Sequence, residues 1–159
     1  MGGTAVETLY AYALLWSEGY DFGSRYDEEL DRLFDACPDN DEYLYLEGVS
    51  DPKEAVLHII AIMADKPFHT DVFGRALMEG LASVWQTYAV QGDALRSFAD
   101  HMVSLWHKLS EHINRLQPFH TLSYADEPLL WGDEAQCRVL YEQAFRYYHA
   151  DNENQTIKQ

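Results

Sequence analysis

The chain has 159 residues, of which 47% are hydrophobic and 24% are charged, a balance typical of a globular domain rather than of a disordered chain. Eleven Lys and Arg stand against 27 Asp and Glu, and the formal charge of −16 disfavours direct binding to nucleic acid or to an anionic membrane. No stretch approaches about 20 apolar residues, and no basic region precedes the first apolar stretch, so we expect neither a membrane span nor a signal peptide.

Helical patterns follow one another along the chain, and no strand-like alternation competes with them. The sequence therefore predicts an all-α fold, a single compact bundle of six or seven helices within residues 1–150, followed by a polar, disordered tail at 151–159. The predicted segments, in chain order, run from Thr4 to Ser17, from Ser24 to Pro38, across 40–48, from Pro52 to the region of Pro67, across 70–91, from Asp93 to Gln117, and from Asp133 to Tyr148.

Two of these helices are expected at the centre of the bundle. The helix that begins at Pro52, with Asp51 as its N-cap, is apolar on nearly every side in its middle. The 93–117 helix is the longest, and its apolar positions repeat with the 3-4 spacing of a bundle seam, with His112 as a hydrogen-bonded core histidine. The seam consists of Leu95, Phe98, Met102, Leu105, Leu109, His112 and Leu116.

The stretch from Pro118 to Gly132 shows no helical period and contains two prolines, which predicts a long loop. It carries several large apolar groups. Either the loop folds back over the bundle and buries them, or it exposes them as anchors for a partner. The candidate anchors are Phe119, Tyr124, Leu130 and Trp131.

Acidic residues concentrate between positions 21 and 54, where twelve acids and three bases give −9. The spacing does not match a calcium-binding EF-hand loop, because Tyr43 and Leu44 stand where an oxygen ligand and a glycine are needed. The stretch "PDNDEYLYLEG" resembles one turn of a tetratricopeptide repeat, but Pro67 arrives too early for a second repeat. The acids that we predict as partner-binding are Asp27, Glu28, Asp31, Asp35, Asp39, Asp41 and Glu42.

Two interpretations of these acids stay open. They form either a solvated helix face that keeps the protein soluble, or a docking surface for a cationic partner. Duplex DNA carries one charge per about 1.7 Å of its axis, and an acidic helical face can imitate that density against a nucleic-acid-binding groove.

Three histidines in the 93–117 helix invite a metal interpretation, but their separations do not place them on one turn. Helical ligands need i, i+3 or i+4 spacing, whereas His101, His107 and His112 are five, six and eleven residues apart. No serine or cysteine hydrolase signature and no glycine-rich phosphate loop is present. We therefore predict no catalytic, metal-binding or cofactor-binding residue and no cofactor.

The two cysteines, Cys37 and Cys137, lie on the apolar sides of helical patterns, which predicts buried, reduced thiols. Reduced thiols fit a cytoplasmic location.

The composition and charge together favour a non-catalytic interaction protein that binds and masks a basic surface of a partner protein, for example a nucleic-acid-binding protein. In charge and class only, the chain resembles phage anti-restriction or anti-CRISPR decoys and toxin-neutralising immunity proteins. One alternative is a small metal-dependent or hydrolytic enzyme that uses the His101–His112 helix. A further alternative is an oligomeric helical scaffold, for instance a homodimer.

Overall fold

The computed structural model describes residues 6–88 and 92–149, and within these ranges it contains helices and no strand, which confirms the all-α prediction. The described residues form more helices than the six or seven expected. They are α1 Val6–Ser17, α2 Gly23–Ala36, α3 Asp41–Glu47, α4 Pro52–Met63, α5 Thr70–Tyr88, α6 Gly92–Lys108, α7 Glu111–Asn114, α8 Thr121–Tyr124, a 3-10 helix Glu127–Trp131, and α9 Glu134–Phe145.

The chain divides into two compact units, Met1–Leu77 and Met78–Gln159. The boundary falls within α5, so residues 70–77 belong to the first unit and the rest of the helix to the second. The predicted single domain over 1–150 stays a prediction. The predicted start of the first helix at Thr4 and the predicted tail at 151–159 lie outside the described residues.

In the first unit the central helix is α1, not α4. Leu9, Leu14 and Leu15 are fully buried, and α1 packs against both α2 and α4. The expectation that α4 lies at the centre is therefore wrong for the first unit. α4 buries only one of its faces, which includes Ile59, because α1 packs against that face and no other. Leu57, on the opposite side, remains 70% exposed.

Local side-chain caps fix the beginnings of α3 and α4. The Asn40 side chain accepts hydrogen bonds from the backbone N–H groups of Glu42 and Tyr43, and the Asp51 side chain accepts one from Lys53. These oxygens satisfy donors that have no partner within the first turn of a helix. The predicted Asp51 cap is therefore confirmed, with Pro52 in the first turn.

A buried carboxylate holds the segment before α5 against α1. Glu7 is only 8% exposed, and its Oε2 accepts a hydrogen bond from the His69 backbone N–H at 2.9 Å and lies 2.8 Å from the His69 Nδ1. Next to this pair, the Tyr10 ring stacks on Phe73 of α5 at 5.0 Å. Burial raises the pKa of Tyr10 to about 12.

The core of the second unit is an aromatic cluster. Phe98 of α6 contacts Trp85 edge-on at 5.1 Å and Tyr141 edge-on at 5.2 Å, between ring centroids. Phe145 closes the cluster against Trp85 at 5.7 Å. Such edge-on ring pairs add roughly 0.5–1.5 kcal/mol each beyond the area that they bury.

The helix predicted to reach Gln117 ends at Lys108, so this prediction is wrong in its length. The Trp106 indole N–H donates to the Asn114 carbonyl at 2.9 Å, and the Asn114 side chain donates to the Leu109 carbonyl at 3.5 Å. These hydrogen bonds satisfy backbone carbonyl groups at the ends of the two helices, and they stabilise the turn of the chain at Ser110. His112 is consequently exposed rather than a core histidine, and Leu116 is 46% exposed.

The segment 118–132 is not the irregular loop that the sequence predicted. It contains α8 and the 3-10 helix, in which Pro128 occupies the first turn. Gly132 ends the 3-10 helix with φ +78°, a left-handed conformation that glycine adopts without a steric penalty.

Candidate partner-binding surface

The acidic side of α2 and α3 has the geometry of a surface rather than of a pocket. On α2, Tyr26, Leu30 and Leu33 are buried along one side. The opposite side carries acids because the helix is amphipathic. All seven acids predicted to bind a partner are exposed, and we call them the acidic α2–α3 surface: Asp27, Glu28, Asp31, Asp35, Asp39, Asp41 and Glu42.

Basic side chains do not neutralise this surface within the described residues. The ion pair found on α2 joins Arg32 to Glu29 at 3.0 Å, and Glu29 is a buried residue outside the set of seven. The guanidinium of Arg25 lies over the Phe22 ring at 5.0 Å. None of the seven carboxylates of the acidic α2–α3 surface is therefore in an ion pair with a side chain among the described residues.

A pair of carboxyl groups joins α2 to α3. The pKa of Glu47 is raised by partial burial, by a hydrogen bond with the Asp31 carboxyl and by the charges of Asp31 and Asp27. Glu47 was not among the predicted residues, because it is sixteen positions from Asp31 in the sequence and only the packing of α2 on α3 brings the two acids together. Burial, followed by the charges of Asp27 and Glu47, also raises the pKa of Tyr26 to about 12.

Large apolar side chains that were not among the predicted site residues are exposed on α3 and α4. Leu44 and Tyr45 of α3 are 57% and 51% exposed, and Leu57 of α4 is 70% exposed. The Tyr45 ring stacks on the His58 ring at 4.3 Å, and its hydroxyl donates to Glu54 Oε1 at 3.2 Å. The sequence of α4 could have indicated an exposed apolar side chain, because its apolar residues lie on more sides of the helix than one neighbouring helix can cover.

The predicted aromatic anchors at 119–131 do not share one environment. Phe119 is fully buried and Tyr124 is half-buried, so neither offers an open face to a partner. Leu130 and Trp131, at the end of the 3-10 helix, are 80% and 67% exposed. The structure brings only this second pair to the surface.

The three histidines considered for metal binding lie on two helices. His101 and His107 are on α6, whereas His112 is on α7, where its Nδ1 lies 3.3 Å from the Ser110 hydroxyl. Within residues 6–88 and 92–149, no group of three or more His, Cys, Asp or Glu side chains has a geometry that could hold a metal ion.

The predicted burial of the two cysteines is correct for one of them. Cys137 is fully buried in α9, and burial is the main cause that raises the pKa of its thiol to about 11. Cys37 is exposed because α2 ends at Ala36, and its C-cap conformation takes it out of the helical repeat. Both thiols are free.

The second unit contains an open cleft of about 640 Å³. Trp85 and Phe145 form apolar parts of its lining, and Glu142 accepts a hydrogen bond from the Trp85 indole N–H at 3.3 Å. The guanidinium of Arg138 lies 5.8 Å from the centre of the Trp85 ring. The Glu142 carboxylate and the indole are thus already paired with groups of the protein itself.

Comparisons of the chain with protein-family models, with curated proteins and with solved structures gave no match. Among the described helices, none combines the length and the apolar character that crossing a membrane requires.

Proposed function

We propose that the protein is a non-catalytic acidic helical protein that binds and masks a basic surface of a partner protein, in the manner of an inhibitor, a nucleic-acid mimic or an immunity protein. The observation that carries the proposal is the acidic α2–α3 surface, whose seven carboxylates are all exposed and have no basic side chain within 4 Å among the described residues. The partner that fits such a surface is a cationic protein, for instance one with a nucleic-acid-binding groove.

The distribution of charge between the two units supports this assignment. Residues 1–77 carry sixteen acids and five bases, whereas residues 78–159 carry eleven acids and six bases. The net charges are therefore −11 and −5. A surface needed only for solubility has no reason to concentrate its charge in one unit, whereas a docking surface attracts a cationic partner to one side.

The test begins with pull-down from a native lysate and identification of proteins that bind at low but not at high salt. Association rates with a captured protein are then measured for wild type and for a variant with four substitutions, Asp27→Asn, Glu28→Gln, Asp31→Asn and Asp35→Asn. Because close charges steer association, we expect the variant to associate more slowly, by about tenfold or more at low salt, and to lose most of its salt dependence.

The matched control neutralises four exposed acids of the second unit and changes the net charge of the chain equally. It carries Asp100→Asn, Glu111→Gln, Glu127→Gln and Glu134→Gln. We expect the control to associate almost as fast as wild type. Equal slowing by both variants, or no slowing by either, would show that the acids of α2 and α3 serve solubility alone.

We propose a second, weaker contact at Leu130 and Trp131. Both side chains are exposed at the end of the 3-10 helix, and the Gly132 turn fixes the end of that helix. Exposed Trp side chains on ordered elements are typical anchors of protein interfaces. Trp131→Ala is expected to increase the dissociation rate of the captured partner without changing the salt dependence of association.

We propose a cytoplasmic location for the protein. The support is the pair of free cysteines, of which the exposed Cys37 is open to oxidation in a non-reducing compartment. The test is localisation of the tagged full chain by cell fractionation, where recovery with periplasmic or secreted proteins would contradict the proposal.

A further inference from the structure

The outer side of α4 is apolar where a surface helix ordinarily carries polar residues. Leu57 and Ile60 are 70% and 40% exposed, and Ala61 and Ala64 are exposed as well. Their positions are i, i+3, i+4 and i+7, the spacing of one continuous stripe along a helix. We call these four residues the apolar α4 face. Exposed apolar stripes of this kind mark interaction sites.

The neighbouring α3 adds an ordered aromatic anchor. The ring of Tyr45 stacks on His58 of α4 at 4.3 Å, and its hydroxyl donates to Glu54 at 3.2 Å, while half of the side chain stays exposed. Contacts on two sides restrict the rotation of the ring. A side chain that is held before binding loses little conformational entropy when a partner covers it. Leu44, 57% exposed on the same helix, provides further apolar surface.

The charges around this apolar surface identify the chemistry of its occupant. Residues 41–65 contain six acids and a single lysine, and all seven of these side chains are exposed. A second copy of the chain would bring a first unit of charge −11 against another of the same sign. A partner that carries lysine or arginine beside an apolar stripe satisfies both the charges and the apolar groups.

We infer that the apolar α4 face, with Tyr45 beside it, binds the apolar side of a basic amphipathic helix of the partner protein, whose cationic residues contact the surrounding carboxylates. A helix fits because residues at i, i+3, i+4 and i+7 form a stripe along one helix, and the side chains of a second helix pack into the grooves of such a stripe. This inference rests on the proposed function and specifies the structural class of the partner.

The test uses three synthetic peptides of about 20 residues, long enough to form a helix on binding. The first has leucines in a helical stripe and lysines elsewhere. The second is a scrambled peptide of the same composition and charge without a stripe, and the third replaces lysine by glutamate. Binding is measured by fluorescence anisotropy to the full wild-type chain and to the double variant Leu57→Gln, Ile60→Gln, in which glutamine preserves helix propensity.

The control variant is Leu116→Gln, Val139→Gln, which removes two apolar groups of the second unit that are 46% and 42% exposed. We expect wild type to bind the striped lysine peptide about tenfold or more tightly than the scrambled peptide, because apolar anchors dominate interface affinity. The double variant of α4 is expected to lose this preference, and the control to retain it. The glutamate peptide is expected not to bind.

Three results would overturn the inference, and they have different consequences for the proposed function. Equal binding of the two lysine peptides would refute an apolar docking site while leaving an acidic docking surface intact. If neither of the two lysine peptides binds, both proposals are contradicted. Concentration-dependent dimerisation in sedimentation equilibrium that Leu57→Gln, Ile60→Gln abolishes would identify a second copy of the chain as the occupant.

Discussion

The orientation of α4 can be tested with two substitutions that lie two residues apart on the same helix. Ile59 has no exposed surface and faces the core of the first unit, whereas Leu57 is 70% exposed. Replacing each by alanine keeps the helix propensity high and removes a comparable amount of apolar side chain. The two variants therefore differ mainly in whether the removed carbons were buried.

The expected magnitudes follow from burial. Ile59→Ala removes three buried carbons at roughly 0.8 kcal/mol each, and the cavity left behind brings the loss to about 2–5 kcal/mol. Leu57→Ala removes groups that are less than one-third buried, so the loss is below about 1 kcal/mol, and the better helix propensity of alanine offsets part of it. The difference between the two variants is therefore about 1 kcal/mol or more.

Thermal unfolding followed by far-ultraviolet circular dichroism measures this difference. For a chain of this length, 1 kcal/mol corresponds to roughly 2–4 °C, so we expect Ile59→Ala to unfold at least about 2 °C below Leu57→Ala. Similar losses in the two variants would mean that α4 is buried on both sides, as its sequence suggested. The apolar α4 face would then not exist.

Asp31→Asn is expected to stabilise the protein at neutral pH, because Asp31 is one of the groups that raise the pKa of Glu47. A carboxyl group whose pKa is raised by folding stabilises the fold below its unfolded pKa and loses this contribution as the pH rises through its folded pKa. The gain in melting temperature should disappear below the ordinary glutamate pKa of about 4.3, where Glu47 is protonated in the folded and the unfolded state. A gain that persists there would contradict this cause. Cys37 is expected to react rapidly with a thiol reagent at pH 8, whereas Cys137, whose pKa is raised to about 11, should react only after denaturant is added. Two equally fast thiols would contradict the burial of Cys137.

The sequence predicted those parts of the fold that depend on a few neighbouring residues. The cap at Asp51 was predicted correctly, and so was the start of the last helix at Asp133, which is its N-cap. In both cases the capping side chain and the N–H group that it accepts from lie within three positions of each other. The start of α2 was predicted within one residue for a similar reason, since the turn before Gly23 breaks the preceding apolar pattern.

Features that depend on distant residues were predicted less well. The apolar pattern from Leu95 to Leu116 continues without interruption, yet α6 ends at Lys108 because Trp106 and Asn114 bond across the turn. The pattern records which residues avoid water, but it does not record whether one helix or two short helices bury them. The burial of α4 was overestimated in the same way, since α1 covers only one of its sides.

In the candidate partner-binding surface, too, features that depend on neighbouring residues were predictable and features that depend on distant residues were not. The exposure of Asp27, Glu28 and Asp31 was predictable, since charged residues opposite the buried side of an amphipathic helix face water. Glu47 and Tyr45 were not predictable, because their environments depend on how α3 packs against α2 and α4. The contribution of tertiary packing was therefore to place an apolar, aromatic surface among the acids.

The acidic and apolar surfaces of the first unit would affect different steps of binding under the two proposals. Carboxylates outside the centre of an interface steer the encounter and act chiefly on the association rate, whereas buried apolar anchors act on the dissociation rate. Neutralising Asp27 and Asp35 should then slow association at low salt, and Leu57→Gln should accelerate dissociation at any salt. Because the two effects appear in separate rate constants, a single partner measured with these variants distinguishes a surface that only attracts cations from one that also holds an apolar helix.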